Sequence, residues 1–262
     1  MTPVVPFSTR TLSRRPCTGD VEPGHDRRPR DSSGYFSCAL TTLTPLCIQS
    51  AFSRMNDQSP AVLPGSSLRG MVRNVCEVLG AGCACYYEGG RTPQDLAKCD
   101  ESNACLVCRI FGFVEGSFAW AGKVRFQDTA PQRVRWTRLS VPVQRPPQED
   151  GPGWILFRHE EPSLGPGPTR CVERNQQFRF LVDYTNLDPE ELAVFRFALT
   201  LTHELRGIDL CHKLGYAKAL GLGSCKIAIA QGKTPLAPIG PEIDPCLGDP
   251  AFEVLRKVRS YR

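Results

Sequence analysis

The chain has 262 residues, 41% of them hydrophobic and 23% charged, with a formal net charge of +5. This is the composition of an ordinary globular chain. It excludes an acidic disordered tail or a fibrous repeat, and no apolar run approaches the length of a membrane span. The mild excess of positive charge permits a polyanionic partner without demanding one. Glycine and proline, 23 of each, exceed what a helical bundle tolerates and predict many turns.

There are 13 cysteines, an odd number. The N-terminus is rich in Arg and Pro and has no apolar stretch of the secretory kind, which points to a cytoplasmic chain. In that compartment thiols bind metal or pack as small hydrophobes and seldom form a disulfide framework. The singly scattered Cys38, Cys47, Cys171, Cys211, Cys225 and Cys246 are expected to be buried thiols.

In chain order, residues 1–34 carry Arg10, Arg14, Arg15, Arg27, Arg28 and Arg30 among five prolines. Without periodicity, they read as an irregular basic arm. Tyr35 to Ile48 is uncharged and rich in aromatic and β-branched residues, the pattern of a buried strand ending near Pro45. Leu68, Val72, Val75 and Leu79 recur at helical spacing, with Ser66 or Ser67 as the cap. A cysteine-rich insert at 80–112 follows, then a strand over Phe118 to Phe126. The segment 141–170, dense in Pro and Gly, predicts a long loop or hairpin. Phe178 to Tyr184 alternates as a strand. Asp188-Pro189-Glu190-Glu191 is a strong helix start, with a capping Asp, Pro in the first turn and Glu three residues after the cap. That helix is expected to run to about His203. A glycine-rich segment then leads to a last strand through Ile229, and residues 231–262 form an extension with a short basic helix. The resulting order, βαββαβ over residues 35–230, is that of an α+β, ferredoxin-like (RRM-like) core.

Three constellations carry chemistry. Pro64 to Arg73 combines a helix N-terminus with Gly65, Ser66, Ser67, Arg69 and Arg73, the last two spaced to share a face away from the apolar stripe. Free N–H groups, hydroxyls and guanidinium groups together suit a phosphate backbone. The second is Cys99-x5-Cys105-x2-Cys108, with Cys83 and Cys85 upstream. A C-x2-C knuckle with earlier cysteines has the spacing of a closed, structural zinc site, with Cys85 favoured over Cys83 as the fourth ligand and Cys76 less suited because it falls in the helix. The third, Gly215 to Gly223, fits neither a Walker A loop nor a dinucleotide fingerprint. Its glycines, Gly221 and Gly223 among them, suit close approach to a phosphodiester chain beside Lys213 and Lys218, with Tyr216 able to stack on a base.

Together P-G-S-S-L-R-G at 64–70, C-L-V-C-R-I-F-G at 105–112 and L-G-Y-A-K-A-L-G-L-G at 214–223 resemble the RAMP superfamily of CRISPR proteins, with N-L-D-P-E-E-L at 186–192 as a further match. The chain looks most like the repeated backbone subunit of type III and related effector complexes. The resemblance implies a prokaryotic scaffold whose copies stack along a guide RNA, hold target RNA, and meet other effector subunits or a separate nuclease. It also implies a projecting thumb hairpin. In slicing relatives a loop Asp, with a divalent metal ion where one is used, promotes cleavage. The candidates here are Asp57 and, in G-H-D-R, Asp26. A third reading, a repeat-RNA processing endonuclease, needs a histidine base from among His25, His159, His203 and His212.

Overall fold

The protein is described from a computed structural model, covering residues 4–5, 15–16, 33–52, 58–80, 99–100, 103–143, 154–230 and 238–261. Its centre is an antiparallel sheet. Strand β1 (Gly34–Thr42) precedes helix α1 (Gly65–Gly80), the short helix α2 (Leu106–Phe111) and strand β2 (Val124–Phe126). Strands β3 (Trp136–Leu139) and β4 (Thr169–Val172) pair with each other outside this sheet. Then come β5 (Gln177–Tyr184), α3 (Pro189–Thr200), β6 (His212–Lys213), β7 (Ser224–Ile229) and α4 (Pro250–Arg259). The main sheet has the order β6-β7-β1-β5-β2, with every neighbouring pair antiparallel.

Alternation decides which side of the sheet is covered. Phe36, Cys38 and Leu40 on β1 and Phe178, Phe180 and Val182 on β5 are buried, while Tyr35, Ser37, Arg179 and Leu181 on the opposite face are exposed. Helices α1 and α3 supply the apolar cover. Phe195 of α3 makes ring contacts with Phe36 at 6.4 Å, Phe126 at 6.1 Å and Phe111 at 6.1 Å. The second face keeps Tyr35 at 67% exposure.

Three elements depart from the sequence pattern. The strand expected over Phe118 to Phe126 is two: Phe118–Trp120 pairs with Phe113–Glu115, and only β2 enters the main sheet. The break is at Gly122, where a Cβ would lie 2.7 Å from the Phe111 carbonyl oxygen, and Lys123 N–H donates to the Ile110 carbonyl at 2.8 Å. Helix α3 stops at Thr200, short of His203, because Leu201 takes a left-handed conformation with φ 55°. The cap of α1 is not a serine. Asp128, from beyond β2, accepts the Gly65 N–H at 2.8 Å. Helix α4 is part of the core, with Phe252, Leu255 and Val258 buried and Phe252 against Phe197 at 5.8 Å.

The start of α3 forms as its sequence dictates, with Asp188 Oδ1 accepting the Glu191 N–H and Glu191 Oε2 accepting the Asp188 N–H. The Glu191 carboxylate does more than close this box. It is 1% exposed and accepts from Arg109 Nε at 2.9 Å and Lys123 Nζ at 2.7 Å. One buried carboxylate thus joins α2, α3 and the approach to β2. Removing one member of such a cluster leaves buried charge unpaired. Glu191→Ala is therefore expected to cost roughly 3–5 kcal/mol in urea unfolding; a loss under about 1 kcal/mol would show that the cluster does not hold these elements together.

Candidate functional site

The cysteine knuckle is built around α2. Cys105 is its N-cap, and its sulfur accepts the Cys108 N–H at 3.4 Å. The Cys99 sulfur accepts the Cys105 N–H at 3.1 Å. The sulfurs of Cys99, Cys105 and Cys108 lie within 4.8 Å of one another and all three residues are buried. Three thiols this close, two of them accepting backbone N–H groups, suit a soft ion held by thiolates. The knuckle can therefore hold a metal ion. Cys83 and Cys85, the candidates for a fourth ligand, lie outside the described residues. Cys76 is buried and does not join the trio; burial holds its thiol well above the usual range.

The C-terminal end of α2 is clamped by α1. Arg69 Nη2 donates to the Phe111 carbonyl and Arg73 Nη1 to the Gly112 carbonyl at 3.1 Å. Both guanidinium groups stand over the Phe111 ring, at 5.6 and 5.7 Å from its centroid. Arg73 also pairs with Glu77 at 2.8 Å and is buried. Arg69 and Arg73, expected to line a phosphate track, turn their guanidinium groups onto the end of α2. The end of a helix offers carbonyls without partners, and two cations satisfy them. Gly112, at φ 72°, is required because a Cβ would meet the Trp120 carbonyl oxygen at 2.5 Å.

The helix N-terminus is also partly engaged. Gly65 lets α1 approach β2, with the Phe126 carbonyl oxygen 2.4 Å from where its Cβ would be. The Asp128 carboxylate stands at the first N–H, where an anion was expected. Ser66 is exposed and Ser67 half-buried.

The glycine-rich loop is held from inside. Lys213 is buried and donates to the carbonyls of Gly221 and Leu222, both at 3.0 Å. Gly223, at φ 76°, admits the Leu214 carbonyl, and Gly221, at φ 86°, admits the backbone of Glu160 and Pro162. These glycines serve backbone packing within the chain. Tyr216 and Lys218 are half-buried, with Lys218 Nζ 5.4 Å from the centre of the Phe157 ring. Asp57, Asp26 and His25 lie outside the described residues.

Sequence reasoning missed Asp128 and the two partners of Glu191. Asp128 gives no local signal, since it caps a helix more than sixty positions upstream. Glu77, four residues after Arg73 on a helix, was legible as an ion-pair partner.

Two described histidines are tied up. His159 Nδ1 lies 2.8 Å from the buried Ser224 hydroxyl. His212 is buried, its Nε2 is 3.0 Å from the Leu199 carbonyl oxygen, and its Nδ1 has no hydrogen-bond partner among the described residues. That is the pattern of a neutral ring donating from Nε2. Burial, with the Arg259 charge nearby, pushes its pKa down to about 3. Between about pH 6.5 and 3 the unfolded chain takes up a proton that the native ring refuses. Stability from this residue is therefore complete above pH 6.5 and falls as pH drops, by at most about 1.4 kcal/mol per pH unit. His212→Gln should flatten the acid limb of a stability–pH curve; an unchanged limb would show that the ring titrates normally.

Residues 39–226 match the family model of the RAMP superfamily. Among solved structures, the chain is similar to one in a "Type IV-B CRISPR Complex", at 17% identity and TM-score 0.49, over 80% of this chain and 96% of that one. It is also similar to Csc2 of Thermofilum pendens, at 13% identity and TM-score 0.43, over 91% of this chain and 81% of that one. No curated protein matches. Among the described residues no helix is long and apolar enough to cross a membrane. The matched span takes in α1, the cysteine knuckle and most of the sheet, and the chain belongs to the RAMP superfamily.

Proposed function

We propose that this chain is a guide-RNA-binding backbone subunit of a CRISPR effector complex, acting in the prokaryotic cytoplasm. The observation that carries the reading is the family match over 39–226, which includes all three motif blocks. Its core is ferredoxin-like. Numbered by their places in βαββαβ, strands β7, β1, β5 and β2 stand in the order 4-1-3-2, and this supports the assignment. Copies stack along the guide, target RNA pairs with it, and other effector subunits or a separate nuclease complete the assembly. The Pro/Gly-rich insertion 141–170, beside the paired strands β3 and β4, is assigned to the thumb in this reading, although Leu156 returns to the core and the His159 N–H to the Val258 carbonyl.

The phosphate contacts in this reading fall to Ser66, Ser67 and Lys218, and Tyr216 stacks on a base. Arg69, Arg73, Lys213, Gly65, Gly221 and Gly223 shape the surfaces that carry them. Because one subunit serves many guides, hydrogen bonds go to the backbone and not to base edges, and stacking tolerates any base. Lys218→Ala should weaken guide binding several-fold whatever the guide sequence, and lower the slope of log affinity against log salt by about one. Protein purified with a CRISPR guide that retains no RNA, or binds only one sequence, would overturn the reading.

We further propose that Cys99, Cys105, Cys108 and Cys85 hold a structural zinc ion, with Cys83 as the substitute for Cys85. Four thiolates leave no open position, so the ion would fasten the insert 80–112 and not take part in hydrolysis. Metal analysis of the purified chain should give about one zinc per chain. Cys105→Ser with Cys108→Ser should abolish it and expose the insert to protease. A native protein without zinc would sink this assignment.

A further inference from the structure

The strongest unexplained pairing lies away from the knuckle, between the turn after β1 and strand β4. Leu46 and Val172 face each other across an isolated antiparallel bridge. They exchange both backbone hydrogen bonds, Leu46 N–H to the Val172 carbonyl at 2.9 Å and Val172 N–H to the Leu46 carbonyl at 2.8 Å. The position beside such a bonded pair is a non-bonded one, where facing Cα atoms are about 4.5 Å apart. Its occupants are Cys47 and Cys171. That separation is within the range a disulfide spans. Both residues are buried in a small apolar cluster with Ala217 and Leu222, outside the main core.

We infer that Cys47 and Cys171 are a dithiol that hydrogen peroxide closes into a reversible cross-strand disulfide. The register sets the two side chains beside each other, and a hydrogen bond shared between the thiols would hold the Cys47 pKa down, so Cys47 is written as the attacking sulfur. The Cys47 thiolate attacks one peroxide oxygen. The O–O bond breaks, leaving a sulfenic acid on Cys47 and a hydroxide that takes up the proton Cys47 had released. Cys171 then attacks the Cys47 sulfur. The S–S bond forms as the S–O bond breaks, and the departing hydroxide leaves as water with the proton of Cys171. Two thiols and one peroxide give one disulfide and two waters, with two electrons passing from sulfur to oxygen. Excess thiol reverses the bond by exchange.

The placement gives the bond a consequence. The Cys47 carbonyl accepts the Tyr216 N–H at 2.8 Å, and Gly215 is pressed against the same carbonyl. Strand β4 is one leg of the paired β3–β4 element. Oxidation therefore fastens the base of that element to the residue that positions the glycine-rich loop. It also closes a loop of more than a hundred residues, a strong restriction on the unfolded chain.

The test uses the folded full-length chain, treated with equimolar hydrogen peroxide, alkylated and digested without reductant. Mass spectrometry should find one linked peptide pair joining Cys47 to Cys171, lost on dithiothreitol treatment. Tm should rise by about 5 °C on oxidation. Cys171→Ser should lose the linked pair and leave Cys47 trapped as a sulfenic acid that a dimedone probe labels. Recovery of both cysteines as free alkylated thiols in the wild-type chain, or Cys47 linked to a different cysteine, would overturn the inference, and neither readout depends on the variant folding.

Discussion

A helix of six residues cannot stand alone, and much of this fold depends on holding one in place. Residues Leu106–Phe111 form fewer than two turns, well below the length at which a helix is stable in water. Each part of α2 has an external partner. The thiols of Cys99 and Cys105 accept N–H groups at its start. Arg109 in its middle reaches the buried Glu191. Its last carbonyls accept hydrogen bonds from Arg69 and Arg73, and Phe111 lies under both guanidinium groups. The helix is thereby a rivet through α1, α3 and the approach to β2.

This changes the meaning of the basic residues. The motifs look like phosphate grips because they place Arg, Lys and Gly together. In the fold, Arg73, Arg109, Lys123 and Lys213 are buried and bound to carboxylates or carbonyls of the chain itself. A buried cation with a fixed partner orders backbone more effectively than it recruits a mobile ligand, since withdrawing it would strand its partner. The groups proposed above to meet a polyanion are instead neighbours such as the exposed Ser66 and the half-buried Lys218.

The outline of the fold was legible in the sequence because it depends on local signals. Alternation in β1 and β5, the stripe Leu68–Val72–Val75–Leu79 and the capping box at Asp188 each act within a few residues. The trio Cys99, Cys105 and Cys108 was legible for the same reason. What could not be read was long-range. Gly122 breaks a strand only because Phe111 passes over it. Asp128 caps a helix on the far side of the insert. Arg69 and Arg73 point inward because carbonyls without partners happen to end there. Cys47 and Cys171 were expected to be unrelated buried thiols, and only the Leu46–Val172 bridge sets them face to face.

The role of α2 as a shared rivet is tested most directly by hydrogen exchange on the native chain before and after treatment with a strong chelator. Removal of the ion proposed for the knuckle should expose the amides of 105–112 and, with them, those of the first turn of α3 and of α1 around Arg69 and Arg73, while β1 and β5 stay protected. Exchange confined to the cysteine insert, with α1 and α3 unchanged, would contradict it.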